Sequence, residues 1–408
     1  MNILVLTPYF PAFDIYKERS EDPRTKFLYD YAVEWVKSGH NVVVLHTIPK
    51  YPAFFPWVVR MVESVPYGQK FQLNRFVQNQ STLRHSVYVA NKIRIIRIPV
   101  SKYIPHYDYL SGNIRALLRN VDASLQSINW CPDLIFSDFL SPSLAVACHV
   151  GSQIAKPVFQ IFHQSDLWYL RSSRRVMLDR LQKTSVSLFR SYSMKTEFEQ
   201  AGWHAKHHDY MFSGIPSGTE LGVCRREVAR FLYVGSLRYS KNIHGVIKAF
   251  AASCIDGRCR LEIVGSGPDE SEIKKLPRSL GIERYVTFLG KVSRDTVFER
   301  MRRSDCLVMV SKETFGMVYV EAMSQGCIVI AAKGQGIDGI VVDGENGFLV
   351  SLEDTNALAE TMHNVSRLNG KEAARLSKNA ISTAAGMTDD VLANRLLEML
   401  KPNAGIGK

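Results

Sequence analysis

At 408 residues, 46% of them hydrophobic and with no biased tract, the chain is too long for one ordinary core and suits two domains of about 200 residues each. The formal charge of +12 gathers in the first half: residues 1–205 hold 24 Lys and Arg against 15 Asp and Glu, and residues 206–408 hold 27 against 24. A basic half suits nucleic acid, an anionic membrane face or phosphorylated substrates, and the lack of any RRM or zinc-finger pattern sets nucleic acid aside.

The seven cysteines are scattered and contain no C-x-x-C pair, which points to free thiols in a reducing cytosol rather than to disulfides or zinc. Met1-Asn2 leads straight into ILVL and Thr7-Pro8, without the basic and long apolar regions of a secretory leader. No run reaches the ~20 apolar residues that a membrane span needs.

NILVLTP (2–8) and NVVVLHT (41–47) read as buried strands with a helix from about Thr25 to Ser38 between them, stopped at Gly39. This βαβ unit opens a parallel, doubly wound sheet, continued by strands at 93–100, 133–138, 157–162 and 185–189 and helices at 111–127, 142–154 and 195–201. The loop after the first strand, PAFDIYKERSEDPRTK, is long, charged and free of glycine. Arg24 and Thr25 suit an anion at a helix start, and the same stretch reads equally as a surface loop capped by Asp22-Pro23. Residues 51–68 read either as a short interfacial helix dipping into a membrane or as a crossover packed on the domain. His163, in HQSD (163–166), directly follows a strand; a lone histidine there is more often structural than catalytic. Arg171, Arg174 and Arg175 are either a solvated helix face or a site for an acceptor phosphate.

HDYMFSGIPSGTEL (208–221) marks the passage to a second βαβ series that begins at FLYVGSL (231–237) and continues into an amphipathic helix, KNIHGVIKAFAAS. RLEIVGSGPDESEI (260–273) is strand, turn and helix. Its Gly265-Ser266-Gly267 makes a poor dinucleotide fingerprint, because the third glycine falls at Glu270. The strand VTFLGKV (286–292) follows. CLVMVS (306–311) and CIVIA then read as strands flanking a loop, Lys312 to Gly316, and a helix. The amides of Gly316, Met317 and Val318 at that helix start suit a phosphate, while Glu313 and Glu321 bracket it as acceptors for hydroxyl groups at either end of an elongated ligand. Helical patterns at 354–368, 371–380 and 389–400 close the chain.

The string SKETFGMVYVEAMSQGCIVIA (311–331) resembles the donor-site signature of glycosyltransferase family 4 (glycosyl transferases group 1), retaining enzymes of the GT-B fold. Glu313, Phe315, Gly316, Glu321, Ala322, Met323 and Gly326 fill its defining positions. The resemblance implies an α/β chain of two doubly wound Rossmann-like domains facing across a cleft. Residues 1–207 would bind the acceptor, 208–225 would link, 226–387 would bind a nucleotide-sugar donor, and a helix at about 388–402 would pack back on the first domain. It further implies that Glu313, Phe315, Gly316, Met317, Val318, Glu321, Gly265, Lys291 and Val292 hold the donor, a UDP- or GDP-sugar. His163 would bond the donor sugar, and Lys241 with Arg238 would stabilise the departing diphosphate. No metal or cofactor is implied for the chemistry. The implied partners are a glycan or lipid-linked acceptor, met in the cytoplasm or at the inner face of a bacterial membrane during surface-polysaccharide synthesis.

The sequence departs from the family pattern in four places: no Gly-Gly pair follows the first strand, Ser213-Gly214 replaces Asn-Gly, Ser236 replaces an arginine, and Gly339 replaces the glutamate of KGQGIDGIVVDGENGFLV (333–350). Three rivals remain. A GT-B epimerase or phosphorylase would not release nucleotide in step with an added acceptor; an NAD-dependent oxidoreductase would show cofactor absorbance; a non-catalytic nucleotide-sugar binder would form no product. For residues 51–68, the interfacial reading predicts that polar replacement of Phe54, Phe55 and Trp57 abolishes co-sedimentation with anionic liposomes. Equal sedimentation of wild type and variant would remove it.

Overall fold

The computed structural model describes residues 1–11, 23–52, 84–103, 108–172, 174–253 and 257–400. All but the first two residues of the 51–68 segment lie outside that set, as do the side chains of Arg24, Thr25 and Arg174. The chain divides into two compact units. Unit 1 comprises Met1–Phe189, Phe198–Asp209 and the chain from Leu397 onward; unit 2 comprises Arg190–Glu197 and Tyr210–Leu396.

Unit 1 is built on an eight-stranded sheet. Its strands are β1 (Asn2–Thr7), β2 (Asn41–Lys50), β3 (Ser86–Ala90), β4 (Ile93–Ser101), β5 (Leu134–Asp138), β6 (Val158–Ile161), β7 (Val186–Phe189) and β8 (His208–Tyr210). They lie in the order β3-β4-β2-β1-β5-β6-β7-β8. From β4 to β7 the pairings are parallel. Helices cover such a sheet on both faces, so its strands need apolar residues at consecutive positions, and Ile3 to Leu6 are fully buried. Trp35, on the helix Pro23–Lys37, stacks on Phe136 of β5 at 4.9 Å, locking the first crossover to the sheet. β3 is the exception: it pairs antiparallel with β4 at the sheet edge and leaves Val87 and Val89 exposed.

Unit 2 carries β9 (Arg230–Val234), β10 (Arg260–Val264), β11 (Val286–Gly290), β12 (Cys306–Met309), β13 (Ile328–Ala332) and β14 (Phe348–Val350). Their order is β11-β10-β9-β12-β13-β14, all parallel. The strand order reverses between β9 and β12, and a doubly wound sheet binds its ligand outside the carboxyl ends of its strands at such a switch point. The loops holding Lys241 and Glu313 leave the sheet from these two strands.

The turns after β9 and β10 press backbone against backbone. Gly235 N–H donates to Val264 O at 3.0 Å, Leu237 N–H to Ser266 O at 3.1 Å, and Gly265 N–H to Gly290 O at 2.8 Å. Gly265 adopts φ +139°, and a Cβ there would lie 1.8 Å from the Gly235 carbonyl oxygen. The β10–β11 register shifts beside it, between Ile263 and Val264. Gly265→Ala is expected to lower unfolding free energy by at least about 2 kcal/mol in urea titrations. Gly112→Ala, at a helical site with nothing within 4 Å of the new Cβ, should be neutral or stabilising by up to about 1 kcal/mol.

Candidate functional site

At the switch point of unit 2 the loop Lys312 to Gly316 is set by packing on both sides. Phe315 is buried against Phe212, ring centroids 5.6 Å apart. Gly336 N–H donates to Glu313 O at 3.0 Å. Gly316 takes φ +89° as the N-cap of the helix Met317–Ser324, with no side chain capping the first turn. A Cβ at Gly316 would meet the ring of Tyr319 at 2.5 Å; that tyrosine is fully buried and donates to Met309 O. The helix start, anchored in this way to the end of β12, presents the Met317 and Val318 amides with no intrahelical acceptor.

Around this turn the charges come in pairs. Lys241 Nζ donates to Glu313 Oε1 at 2.6 Å, and Ser311 Oγ donates to the same oxygen at 2.9 Å. Burial and the Glu313 carboxylate push the hydroxyls of Tyr319 and Tyr233 well above the ordinary tyrosine value, which keeps both as neutral donors. Glu321 accepts from Arg294 at 2.7 Å, and Arg294 opens the helix Arg294–Arg303 directly after the Lys291–Val292 segment. Arg238 is exposed and turns its Nε toward Ser236 Oγ at 3.3 Å, so the serine standing in the expected arginine position engages the substitute cation.

The structure therefore gathers Lys241, Glu313, Ser311 and the helix amides in one place, and brings Gly265 against the β9 turn beside them. Lys291 is exposed and Val292 half-buried, after β11. Phe315 stands there as a ring packed against Phe212 in the interior of unit 2. Each glutamate holds its cation through Oε1, Glu313 that of Lys241 and Glu321 that of Arg294. Sequence reasoning missed Arg294 and Ser311. The signal for Ser311 was its place at the end of an apolar strand; Arg294 lies 27 positions from its partner and gave none.

Gly339, in place of the expected glutamate, sits at φ +92°, where a Cβ would meet the Tyr192 ring at 2.5 Å. Asn346 closes its own turn, accepting from Val342 N–H at 2.7 Å and donating to Ile340 O at 2.9 Å. The D-G-x-N-G stretch is thus a self-bonded corner.

In unit 1 the expected His163 stands after β6, and its Nε2 meets Asp138 Oδ1, at the end of β5, at 2.6 Å. Thr7, at the end of β1, donates to the other Asp138 oxygen at 2.7 Å. The imidazole stacks on Phe139, centroids 3.8 Å apart and planes 8° from parallel. With Asp138 accepting from Nε2–H, the tautomer protonated on Nε2 alone would keep Nδ1 as an acceptor. Asp166, three positions on, is wholly buried and accepts from the backbone N–H groups of His163 and Leu140 at 2.9 and 3.0 Å. Burial pushes its carboxyl up to about 6, against the pull of His163 and the two amides. Arg171 and Arg175 are exposed, on the helices Asp166–Ser172 and Arg174–Leu181.

A cavity of about 440 Å³ lined by Asp122, Trp130 and Cys131 precedes β5 and β6, at the amino ends of the strands, and involves none of these residues. Among the described residues no three His, Cys, Asp or Glu side chains gather as a metal site, and no helix is long and apolar enough to cross a membrane. The described cysteines are free thiols.

Residues 225–383 match the family model of the glycosyl transferases group 1. The N-acetyl-α-D-glucosaminyl L-malate synthase of Bacillus anthracis is 34% identical over 142 residues, 35% of this chain and 36% of that protein. The D-inositol 3-phosphate glycosyltransferase of Streptomyces avermitilis is 36% identical over 136 residues, 31% of this chain and 29% of that one. The chain thus spans about a third of the length of the curated relatives it matches. Among solved structures, Anabaena Alr3699/HepE, crystallised with UDP and glucose, superposes with a TM-score of 0.61 at 18% identity, covering 98% of this chain and 99% of that one. The sucrose-phosphate synthase of Thermosynechococcus elongatus superposes with a TM-score of 0.62 at 17% identity, covering 98% of each chain. The fold, two α/β units with parallel sheets, is that of the GT-B glycosyltransferase structures.

The buried Asp166 gives unit 1 a pH signature. Its carboxyl lies above the ordinary value of 3.8, so the stability it contributes is complete below that value and lost as pH rises through about 6. Relative to Asp166→Asn, wild type should lose about 2–3 kcal/mol of unfolding free energy between pH 4 and pH 7. Urea titrations across that range check the slope, and parallel curves would refute it.

Proposed function

We propose that the chain is a glycosyltransferase that moves a sugar from a nucleotide-diphosphate donor, bound on unit 2, to an acceptor bound on unit 1. The observation that carries the reading is the meeting of Lys241 and Glu313 at 2.6 Å beside an uncapped helix start at the switch point. The match of residues 225–383 to the glycosyl transferases group 1 supports it, as do the names of the partial relatives and the UDP and UDP-glucose found with the HepE protein.

The charge that develops as the glycosidic bond breaks sits on the leaving diphosphate. Lys241, Arg238 and the Met317 and Val318 amides supply fixed positive potential where it grows. To do so, Lys241 exchanges Glu313 for the phosphates, and the released carboxylate accepts from hydroxyls of the donor sugar. Glu321, held by Arg294, accepts from the ribose. Lys291, Val292 and Gly265 line the nucleotide edge through backbone, and His163 offers Nδ1 to the sugar. The reaction retains anomeric configuration, as in family 4, with the leaving phosphate assisting the acceptor's proton and no protein nucleophile. No bound metal enters this scheme. The donor is UDP- or GDP-linked and the acceptor a glycan or lipid-linked saccharide of a bacterial surface polysaccharide. The basic first half would hold the protein at the inner face of the cytoplasmic membrane.

A thermal-shift panel of UDP- and GDP-sugars tests the donor. Glu321→Ala should weaken nucleotide binding by about tenfold, the effect of losing one charged hydrogen bond. Lys241→Ala should lower kcat by about 100-fold with a smaller change in nucleotide Kd. Nucleotide release should require an added acceptor; full activity in both variants would overturn the assignment.

A further inference from the structure

The carboxyl edge of the unit 1 sheet holds a buried cation that nothing in the chemistry above uses. Lys102 follows β4 and is only 8% exposed, its backbone N–H tied to Lys50 O at 2.9 Å. Tyr109 and Tyr169 touch it, and Tyr9 and Tyr51 lie close to those two, the four coming from four different segments. Tyr9 follows β1, Tyr51 follows β2, Tyr109 precedes the helix Ser111–Ser127, and Tyr169 lies on the helix Asp166–Ser172. Tyr51 and Tyr109 are themselves buried, at 6% and 8% exposure.

An ammonium group has three protons to donate, and a buried one needs acceptors for them. Lys102 Nζ has a long 3.5 Å contact to Tyr169 Oη and the face of the Tyr109 ring at 4.7 Å. It makes no ion pair among the described residues, and the nearby carboxylate is committed elsewhere. Asp108 accepts from Ser141 Oγ and from Tyr109 N–H, and its other oxygen faces Arg180 at 4.0 Å. Burial pushes the Lys102 ammonium down to about 8, with Asp108 acting in the opposite sense. The same burial, and the mutual proximity of the hydroxyls, push Tyr51 up to about 12 and Tyr109 and Tyr169 well above their ordinary value, which keeps them protonated donors. A desolvated cation beside the Tyr169 hydroxyl, with no carboxylate paired to it among the described residues, is complementary to an anionic oxygen group. Tyr169 also lies close enough to Asp166 to feel its charge, which places the cluster next to the His163–Asp138 pair.

We propose that Lys102, with Tyr109 and Tyr169, forms a subsite in unit 1 for an anionic oxygen group, phosphate or carboxylate, carried by the acceptor. This rests on the reading of unit 1 as the acceptor-binding unit. The exposed Arg171 and Arg175 then serve at most to attract such a substrate, whereas Lys102 fixes its register.

Equilibrium dialysis of inorganic phosphate, and separately of acetate, against the full chain tests the subsite. Excess UDP is present so that the amides and Lys241 of unit 2 cannot take the probe. The same measurement on a Lys241→Ala chain without UDP reads the subsite even if UDP does not bind, so failure of the donor assignment is distinguishable from failure here. The expected result is saturable binding at one site that Lys102→Met weakens at least tenfold and Tyr169→Phe a few-fold. Tighter binding of phosphate than of acetate assigns a phosphorylated acceptor, and the reverse assigns a carboxylate. No saturable binding of either anion, or binding by Lys102→Met within twofold of wild type, overturns the proposal. Should Lys102→Met not fold, reductive methylation of Lys102 in wild type decides. Phosphate should slow it at least threefold, read by peptide mass spectrometry, and an unchanged rate overturns the proposal.

Discussion

The contact between Lys241 and Glu313 joins the loops that leave β9 and β12, the two strands between which the order of the second sheet reverses. Both side chains stay partly open to solvent, 30% and 18% exposed, and pairs of that kind contribute about 0–1 kcal/mol to stability. The pair is therefore cheap to separate. Its significance is positional: it holds a cation and a carboxylate at the mouth of an uncapped helix, each ready to change partners without a large barrier from the fold. What makes the placement possible is packing rather than charge. Phe315 against Phe212, Tyr319 reaching back to Met309 O, and the glycine turns pressed together after β9 and β10 leave the loops no other course.

Unit 1 uses the same sheet architecture with a different chemical vocabulary. Its carboxyl edge carries Thr7, Asp138, His163 and Asp166 as a connected hydrogen-bond chain, and Lys102 among tyrosines beyond it. In the proposed reading unit 2 would hold an anion with helix amides and the Lys241 side chain, and unit 1 with buried, desolvated groups whose protonation is set by their surroundings.

Much of this was legible in the sequence because it is local. Unbroken apolar runs such as ILVL and CLVM mark doubly covered strands, and Glu313, Gly316 and Glu321 lie within nine residues of one another, so the strand-loop-helix pattern carried them together. Lys241 entered only through the family resemblance. Pairings across the fold were not legible. Arg294 meets Glu321 across 27 positions, and Asp138 meets His163 across 25. Asp138 ends a strand and so was within reach of the rule that polar strand ends line a binding edge. The tyrosines around Lys102 come from four segments and share no spacing. β3 escaped because a half-exposed antiparallel edge strand has no buried run, and β8 because its three residues, HDY, fall within a polar stretch.

The glycine at 339 ties two distant parts of this chain together. Its backbone is left-handed and the Tyr192 ring fills the space where a side chain would begin. That ring is 40% exposed and has solvent to turn into. A glutamate at 339 would therefore carry two costs at once, a strained backbone and the displacement of a ring 147 positions earlier in the chain.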